Sequence, residues 1–323
     1  MPEAPRILIH AGTPAPLADR LAAAHPDAAI ATCDTYPGLP DMLAAHRPDI
    51  VYGIRFAGTK GYPRDALLGA HGPRWIAVGG AGTDHLGPWE PARVTVTNAA
   101  GTAAGMMAEY ILGSVLHFTL DVAGLMADQA ARHWDAARMV TPIAGKTLLI
   151  VGLGHTGQAL AARARAFGLT VLGTRARPHP MDEVDEVHPP DALPTLLARA
   201  DIVAVCAPLT PATRGMIGTT EVAAIKDGAI LVDVSRGGIV DHAALGAALA
   251  SGRLRGAALD VFDPEPLPPD SPLWSLPNAL ISPHCSAYYA EWEATSFAFF
   301  LENLTRWRAG EPLLNVVDPA RGY

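Results

Sequence analysis

Three groups of side chains in this 323-residue chain have the types and settings for chemistry on a bound small molecule. The first is a glycine turn. In VGLGHTGQAL, residues 151–160, Gly152, Gly154 and Gly157 keep the G-x-G-x-x-G spacing between strand-like TLLI and an alanine-rich helical stretch. The first glycine permits a tight turn, and the second lets a pyrophosphate approach the backbone. The third lets the helix lie close to the strand, with its first N–H groups facing the phosphates. His155 sits inside this turn and is read as a loop residue acting through its backbone.

The second group is Arg236, Glu265 and His284, which follow the strand-like runs AILVDVS, AALDV and NALIS. A parallel sheet lines up the carboxyl ends of its strands along one edge, where ligands bind. Three residues far apart in sequence therefore converge on the rim that carries the glycine turn. Singly, each has an ordinary reading as a surface cation, a loop carboxylate or a turn residue after Pro283. Their combination with the glycine turn points to catalysis. The third group lies in LTVLGTRARPHP, residues 169–180. About twenty residues past such a turn a carboxylate often takes the adenosine ribose hydroxyls. Here stand Thr174, Arg175 and Arg177, a hydroxyl and two cations that suit a 2′-phosphate. The alternative is a solvated loop.

The elements that must hold these groups show in the hydrophobic pattern. RILIH, DIVYG, RWIAVGG and RVTVTN read as strands, and PAPLADRLAAAH and LPDMLAAHRP as helices, a small α/β unit. A long helix begins near Thr102 and runs through AAGMMAEYILGSVLHFTLDVAGLMADQ, apolar on nearly every face. A surface helix shows one apolar stripe, so this one belongs to a domain junction, a subunit interface or a buried core. From Lys146 the runs KTLLIVGLG, LTVLG, DIVAVCAP, GAILVDVS, GAALDVF and ALISPH repeat with helical stretches between the first five. Near-continuous apolar strands in this arrangement indicate a doubly wound parallel sheet. The amphipathic tail EWEATSFAFFLENLTRWRAG is placed to return to the N-terminal domain.

Composition narrows the partners. A net charge of −8 argues against a nucleic-acid or other polyanion partner. No apolar run is long enough to span a membrane, and the start MPEAPRILIH lacks a signal peptide's basic head and apolar core. Cys33, Cys206 and Cys285 are scattered, and the twelve histidines show no ligand spacing, so no metal is expected. A reduced, cytoplasmic protein of two domains is the expectation.

Several of these motifs, GLGHTG, DVSRGGIVDHAAL, AALDVFDPEPLP and SPHCSA, resemble those of the D-isomer-specific 2-hydroxyacid dehydrogenases. With GGAGTDHL and NLTRWRAGEPLLNVVD the resemblance extends over nearly the whole chain and favours the glyoxylate/hydroxypyruvate reductase-like branch. It implies a doubly wound (Rossmann) cofactor domain, 99–287, inserted into a smaller flavodoxin-like α/β substrate domain made of 1–98 and 288–323. It also implies a homodimer built on the long helix. The implied reaction is reduction of a small 2-keto acid to the D-2-hydroxy acid, with NADP(H) preferred and NAD(H) usable.

In that reaction His284 supplies a proton to the carbonyl oxygen. Glu265 favours the imidazolium, and Arg236 meets the carboxylate and the developing oxyanion. The substrate carboxylate also meets backbone N–H groups near Ala81 and Gly82. By resemblance Asp260 holds the nicotinamide carboxamide. Thr156, Cys206, Ala207, Pro208, Thr213, Val234, Ser235 and Ala287 line the cofactor cleft, which Arg236 and His284 border. Cys206 is equally well explained as a small buried residue at a strand end, and Trp134 either packs within the chain or reaches a neighbouring subunit. The competing readings are a dinucleotide-gated corepressor-like binding protein, a dehydrogenase of bulkier keto acids such as phenylpyruvate, and a phosphite dehydrogenase. Relatives of the last kind normally carry a lysine in the GGAGTD loop, where Ala81 or its neighbours stand here.

Overall fold

The computed structural model describes residues 4–54 and 61–322, and they fall into two compact units. Unit 1 is drawn from Met1–Thr102 and Tyr289–Tyr323, and unit 2 is Ala103–Tyr288. In unit 1 the strands β1 (Arg6–His10), β2 (Ala29–Cys33), β3 (Ile50–Gly53), β4 (Trp75–Val78) and β5 (Thr95–Asn98) alternate with helices. These are α1 (Pro14–Ala24), α2 (Leu39–His46) and α3 (Arg64–Leu68). Among the described residues the strands form one parallel sheet in the order β2-β1-β3-β4-β5, the flavodoxin-like arrangement. Helix α1 starts with proline in its first turn and buries Leu17 and Leu21, one turn apart, on a single face.

The tail returns to unit 1. Its helix, Trp292–Ala309, buries Phe297, Phe300 and Leu304 against Ile7, Ile9, Tyr52 and Trp75. The 3.6-residue period puts those three on one stripe. Gly310 ends the helix with φ 70°, and Val316 then pairs with Thr97 beside β5.

Unit 2 opens with helices α4 (Ala104–Thr119) and α5 (Val122–Ala131), bent by 57° to each other. The single long helix expected from the pattern is thus two. Asp121 breaks it. Its backbone takes a left-handed turn, φ 52°, and its side chain accepts from Gly124 N, capping α5. The two helices also differ in environment. α4 is a core helix of its own unit, with Ile111, Leu112, Val115 and Phe118 buried, each worth about 1.5–3 kcal/mol. α5 buries nothing. No single described helix is long and apolar enough to cross a membrane.

The rest of unit 2 is a parallel sheet of β6 (Thr147–Val151), β7 (Thr170–Thr174), β8 (Glu186–His188), β9 (Ile202–Val205), β10 (Ile230–Asp233), β11 (Gly256–Leu259) and β12 (Ala279–Ile281). Helices α6 (His155–Ala166), α7 (Leu193–Leu197), α8 (Thr219–Ala224) and α9 (His242–Ala250) connect them. The strand order is β12-β11-β10-β9-β6-β7-β8. It runs outward in both directions from the β6–β9 pair, which makes the exit of those two strands the switch point where such sheets bind ligands. Two strands had no reading in the sequence. β2 is an alanine-containing sheet edge, only partly buried, and β8 has only three residues.

Candidate active site

The glycine turn leaves β6 at the switch point. Gly152 takes φ 103°, and a Cβ there would lie 2.8 Å from the backbone of Ala207, where β9 exits. A Cβ on Gly157 would lie 2.4 Å from the Gly152 carbonyl oxygen, so only glycine lets α6 rest on the turn. Among the described residues, Gly154 has nothing within 4 Å of its Cβ position, and no side chain caps the first turn of α6 behind it. That leaves an open cradle of helix N–H groups, including those of His155 and Thr156, which fits a pyrophosphate.

Thr174 ends β7, and its carbonyl oxygen accepts from both Gly152 N and Leu153 N. Its side chain is buried, while Arg175 is half-buried and Arg177 exposed. The two guanidiniums, not the hydroxyl, are therefore the groups offered to solvent. Around β9, Thr213 Oγ1 donates to Pro208 O at 2.6 Å and closes the loop between them. Burial and the Asp233 carboxyl push the Cys206 thiol up to about 12, so it stays protonated, as expected of a small packing residue.

The candidate pair His284 and Glu265 assembles from the exits of β11 and β12. His284 Nδ1 lies 3.0 Å from Glu265 Oε2 and 3.1 Å from Oε1. Glu265 Oε1 also accepts from Phe262 N at 3.0 Å. Burial alone would raise the Glu265 carboxyl. The hydrogen bond from His284 leads the opposing effects, with Phe262 N and the Arg236 charge adding to it, and together they hold it below its ordinary value. With Nδ1 facing the carboxylate, Nε2 is the nitrogen left for a substrate. Arg236 follows β10, and its Nη1 donates to Ser235 O at 2.8 Å. The next residue brings that loop against β11's exit, because a Cβ on Gly237 would lie 2.0 Å from Phe262 O.

His284 has φ 54°, a left-handed backbone that few bulky residues adopt. Asp260 holds it there. This carboxylate is 0% exposed and accepts from Ser282 Oγ at 2.5 Å, Cys285 N at 2.8 Å and Ser286 N at 2.9 Å. Tyr110 OH joins Ser282 Oγ at 2.6 Å, tying α4 to the same loop. Asp260 was singled out for a cofactor contact, yet most of its acceptor capacity goes to positioning the histidine loop. Ser282 and Tyr110 escaped the sequence reading, since neither type nor spacing marks them.

Asp233 was also missed, although an acid closing the apolar run AILV is a visible signal. It is fully buried. Oδ1 accepts from Ser235 N at 3.0 Å and from Ser235 Oγ, while Oδ2 has no hydrogen-bond partner among the described residues. Burial, with the Asp260 charge, pushes this carboxyl up to about 7 against the Ser235 hydrogen bonds. Val234 and Ser235 are buried beside it, and Ala287 is half-buried beyond the histidine loop. Ala81 and Gly82 belong to unit 1, where Asn98 Nδ2 fixes their turn by donating to Ala81 O at 2.7 Å. Trp134 is 91% exposed. No metal-binding cluster of His, Cys, Asp and Glu occurs among the described residues.

A doubly wound parallel sheet with an open glycine cradle at its switch point, and an imidazole–carboxylate pair on the same edge, defines a Rossmann-type dinucleotide-binding unit equipped for acid–base chemistry. The family described as D-isomer specific 2-hydroxyacid dehydrogenase, NAD binding domain, matches residues 112–286. The chain belongs to that family. A D-3-phosphoglycerate dehydrogenase of Methanocaldococcus jannaschii is 35% identical over 81% of this chain and 50% of its own length. A glyoxylate/hydroxypyruvate reductase B of Yersinia pseudotuberculosis is 42% identical over 54% of each chain. The chain thus spans about half the length of these curated relatives.

Among solved structures, a D-isomer specific 2-hydroxyacid dehydrogenase of Xanthobacter autotrophicus, in complex with NADPH and MES, is similar at TM-score 0.84. It is 32% identical, with 99% of this chain and 100% of that one covered. A family protein from Aeromonas salmonicida reaches TM-score 0.87 at 30% identity, covering 98% of this chain and 99% of that one. An NADPH-dependent glyoxylate/hydroxypyruvate reductase of Sinorhizobium meliloti, in complex with NADP and sulfate, gives 0.82 at 25%, covering 99% and 100%.

Proposed function

We propose that this protein reduces a small 2-keto acid of the glyoxylate or hydroxypyruvate kind to the D-2-hydroxy acid, with NADPH preferred over NADH. The observation that carries this reading is the 3.0 Å contact between His284 Nδ1 and Glu265 on the edge that bears the glycine cradle. The cofactor, when bound, supplies the hydride. His284 holds at Nε2 the proton that the carbonyl oxygen receives, and Glu265 keeps the ring oriented and favours its charged form. Arg236 offers a planar set of donors to the carboxylate and to the oxygen as it becomes negative. Arg175 and Arg177 are the cations for a 2′-phosphate, a reading supported by the NADPH and NADP in the similar structures.

The test is turnover of reduced cofactor with glyoxylate, hydroxypyruvate, its 3-phospho ester and phenylpyruvate in parallel. The phospho ester is included because a relative similar over 81% of this chain is a phosphoglycerate dehydrogenase. Highest kcat/KM on glyoxylate or hydroxypyruvate, lost roughly 10²–10⁴-fold in His284→Asn, is the expected result. Cofactor binding without turnover on any keto acid would instead indicate the corepressor-like binding protein.

The same proposal includes a homodimer. Leu125 and Met126 on α5, with Trp134, Met139 and Val140 after it, are exposed at 45%, 66%, 91%, 88% and 51%, an apolar surface that a second copy would cover. Arg138 draws that segment back onto α5 by pairing with Asp128 and Asp121.

A further inference from the structure

The turn after β7 holds a third group beside the two arginines. Arg175 Nη1 lies 3.0 Å from His179 Nε2. A guanidinium only donates, so His179 Nε2 is the acceptor in this contact. His179 also borders a shallow cavity of about 300 Å³ walled by Pro178, Pro180, Met181, Val184, Asp185 and Val187. Two guanidiniums and an imidazole in one turn are complementary to a phosphate dianion carried on a ribose.

We propose that His179 is a further 2′-phosphate ligand, protonated only when that phosphate is present, so that selection of NADPH over NADH strengthens as pH falls toward 6.5. The proposal rests on the reading of Arg175 and Arg177 as the 2′-phosphate site. Without the ligand, a proton on Nε2 would face the Arg175 cation at 3.0 Å. With a dianion on Arg175, the same nitrogen gains an acceptor and a favourable field. The imidazole then takes a proton from solvent and becomes a donor.

The other charges around this turn do not supply that acceptor. Arg165 on α6 pairs with Glu183 at 3.4 Å and reaches Asp185 at 4.0 Å, and Asp185 also accepts from Val171 N. Glu186 on β8 is taken by Arg199 at 2.6 Å and His188 at 2.9 Å. Asp182 follows in the same turn, with its carbonyl oxygen on Arg165. Arg177 adds a second cation on the β7 side. The direct partner of the imidazole is Arg175.

The experiment is titration of the full chain with NADPH and with NADH between pH 8.5 and 6.5, wild type beside His179→Gln. Glutamine keeps an acceptor for Arg175 but does not titrate. The ratio of the two dissociation constants cancels everything the cofactors share. One proton taken up with NADPH makes that ratio grow by at most about tenfold per pH unit. The phosphate's own protonation works the opposite way near pH 6, below this window. We expect the wild-type ratio to rise about tenfold or more across the window and the His179→Gln ratio to stay within about twofold. Equal slopes in the two proteins, with NADPH still preferred, would overturn the role of His179 and leave the arginines in place. No NADPH preference at any pH would overturn both.

Discussion

Replacing Asp233 with asparagine isolates a cost that the fold carries at its own ligand edge. The carboxyl is fully buried, one oxygen lacks a partner among the described residues, and Asp260 adds a second negative charge nearby. Its pKa stands at about 7 in the folded chain, against 3.8 for an ordinary aspartate. A carboxyl whose folded pKa is raised binds more protons in the native state between those two values. The stability this one group contributes is therefore fully present below about pH 4, declines as pH rises through that window, and is lost above pH 7. Three pKa units correspond to about 4 kcal/mol in full, of which roughly 2–3 kcal/mol falls between pH 5 and 8. Asparagine abolishes the titration while leaving an amide with no acceptor at the Oδ2 position, which costs about 1–3 kcal/mol at every pH. The variant should thus be the less stable protein at pH 5 and gain on wild type by roughly 2–3 kcal/mol at pH 8. Urea unfolding of both proteins at the two pH values, compared through midpoints at constant m, measures this. A stability difference that stays within about 0.5 kcal/mol from pH 5 to 8 refutes the reasoning.

Three further outcomes follow from the same geometry. Glu265→Gln removes the anion on His284 Nδ1, so the high-pH loss of reductase activity should move to lower pH; an unchanged kcat/KM profile with chemistry rate-limiting counts against the pair. Arg175→Asp should weaken NADPH by roughly ten- to a hundredfold, the value of one charge-assisted contact, and narrow or invert the preference in kcat/KM at saturating keto acid. Trp134→Glu, on a side chain 91% exposed, should shift the sedimentation of a dimer toward that of a monomer; a wild type that already sediments as a monomer removes the dimer from the proposal.

What the chain's sequence determined by itself is whatever depends on neighbours along the chain. Apolar runs of four or five residues marked the buried strands, because a strand covered on both faces needs no alternation. The spacing of Gly152, Gly154 and Gly157 marked the turn, because each glycine answers a local steric demand. The strand-end rule put Arg236, Glu265 and His284 on one edge, and the family resemblance supplied their roles.

Tertiary structure alone decided the rest. The clamp of Asp260 on Ser282, Cys285 and Ser286 spans 22 to 26 residues and uses backbone groups that no residue type announces. The left-handed backbone of His284 sits between that clamp and the Glu265 contact, both made by residues distant in sequence. The division of the long apolar helix turned on one residue, Asp121, whose left-handed backbone ends the first helix and whose side chain caps the second through Gly124 N. Apolar composition also looked the same in α4 and α5, yet one lies in the core and the other on the surface. Hydrophobicity states that a face must be covered, and only the packed chain shows which faces its own residues cover.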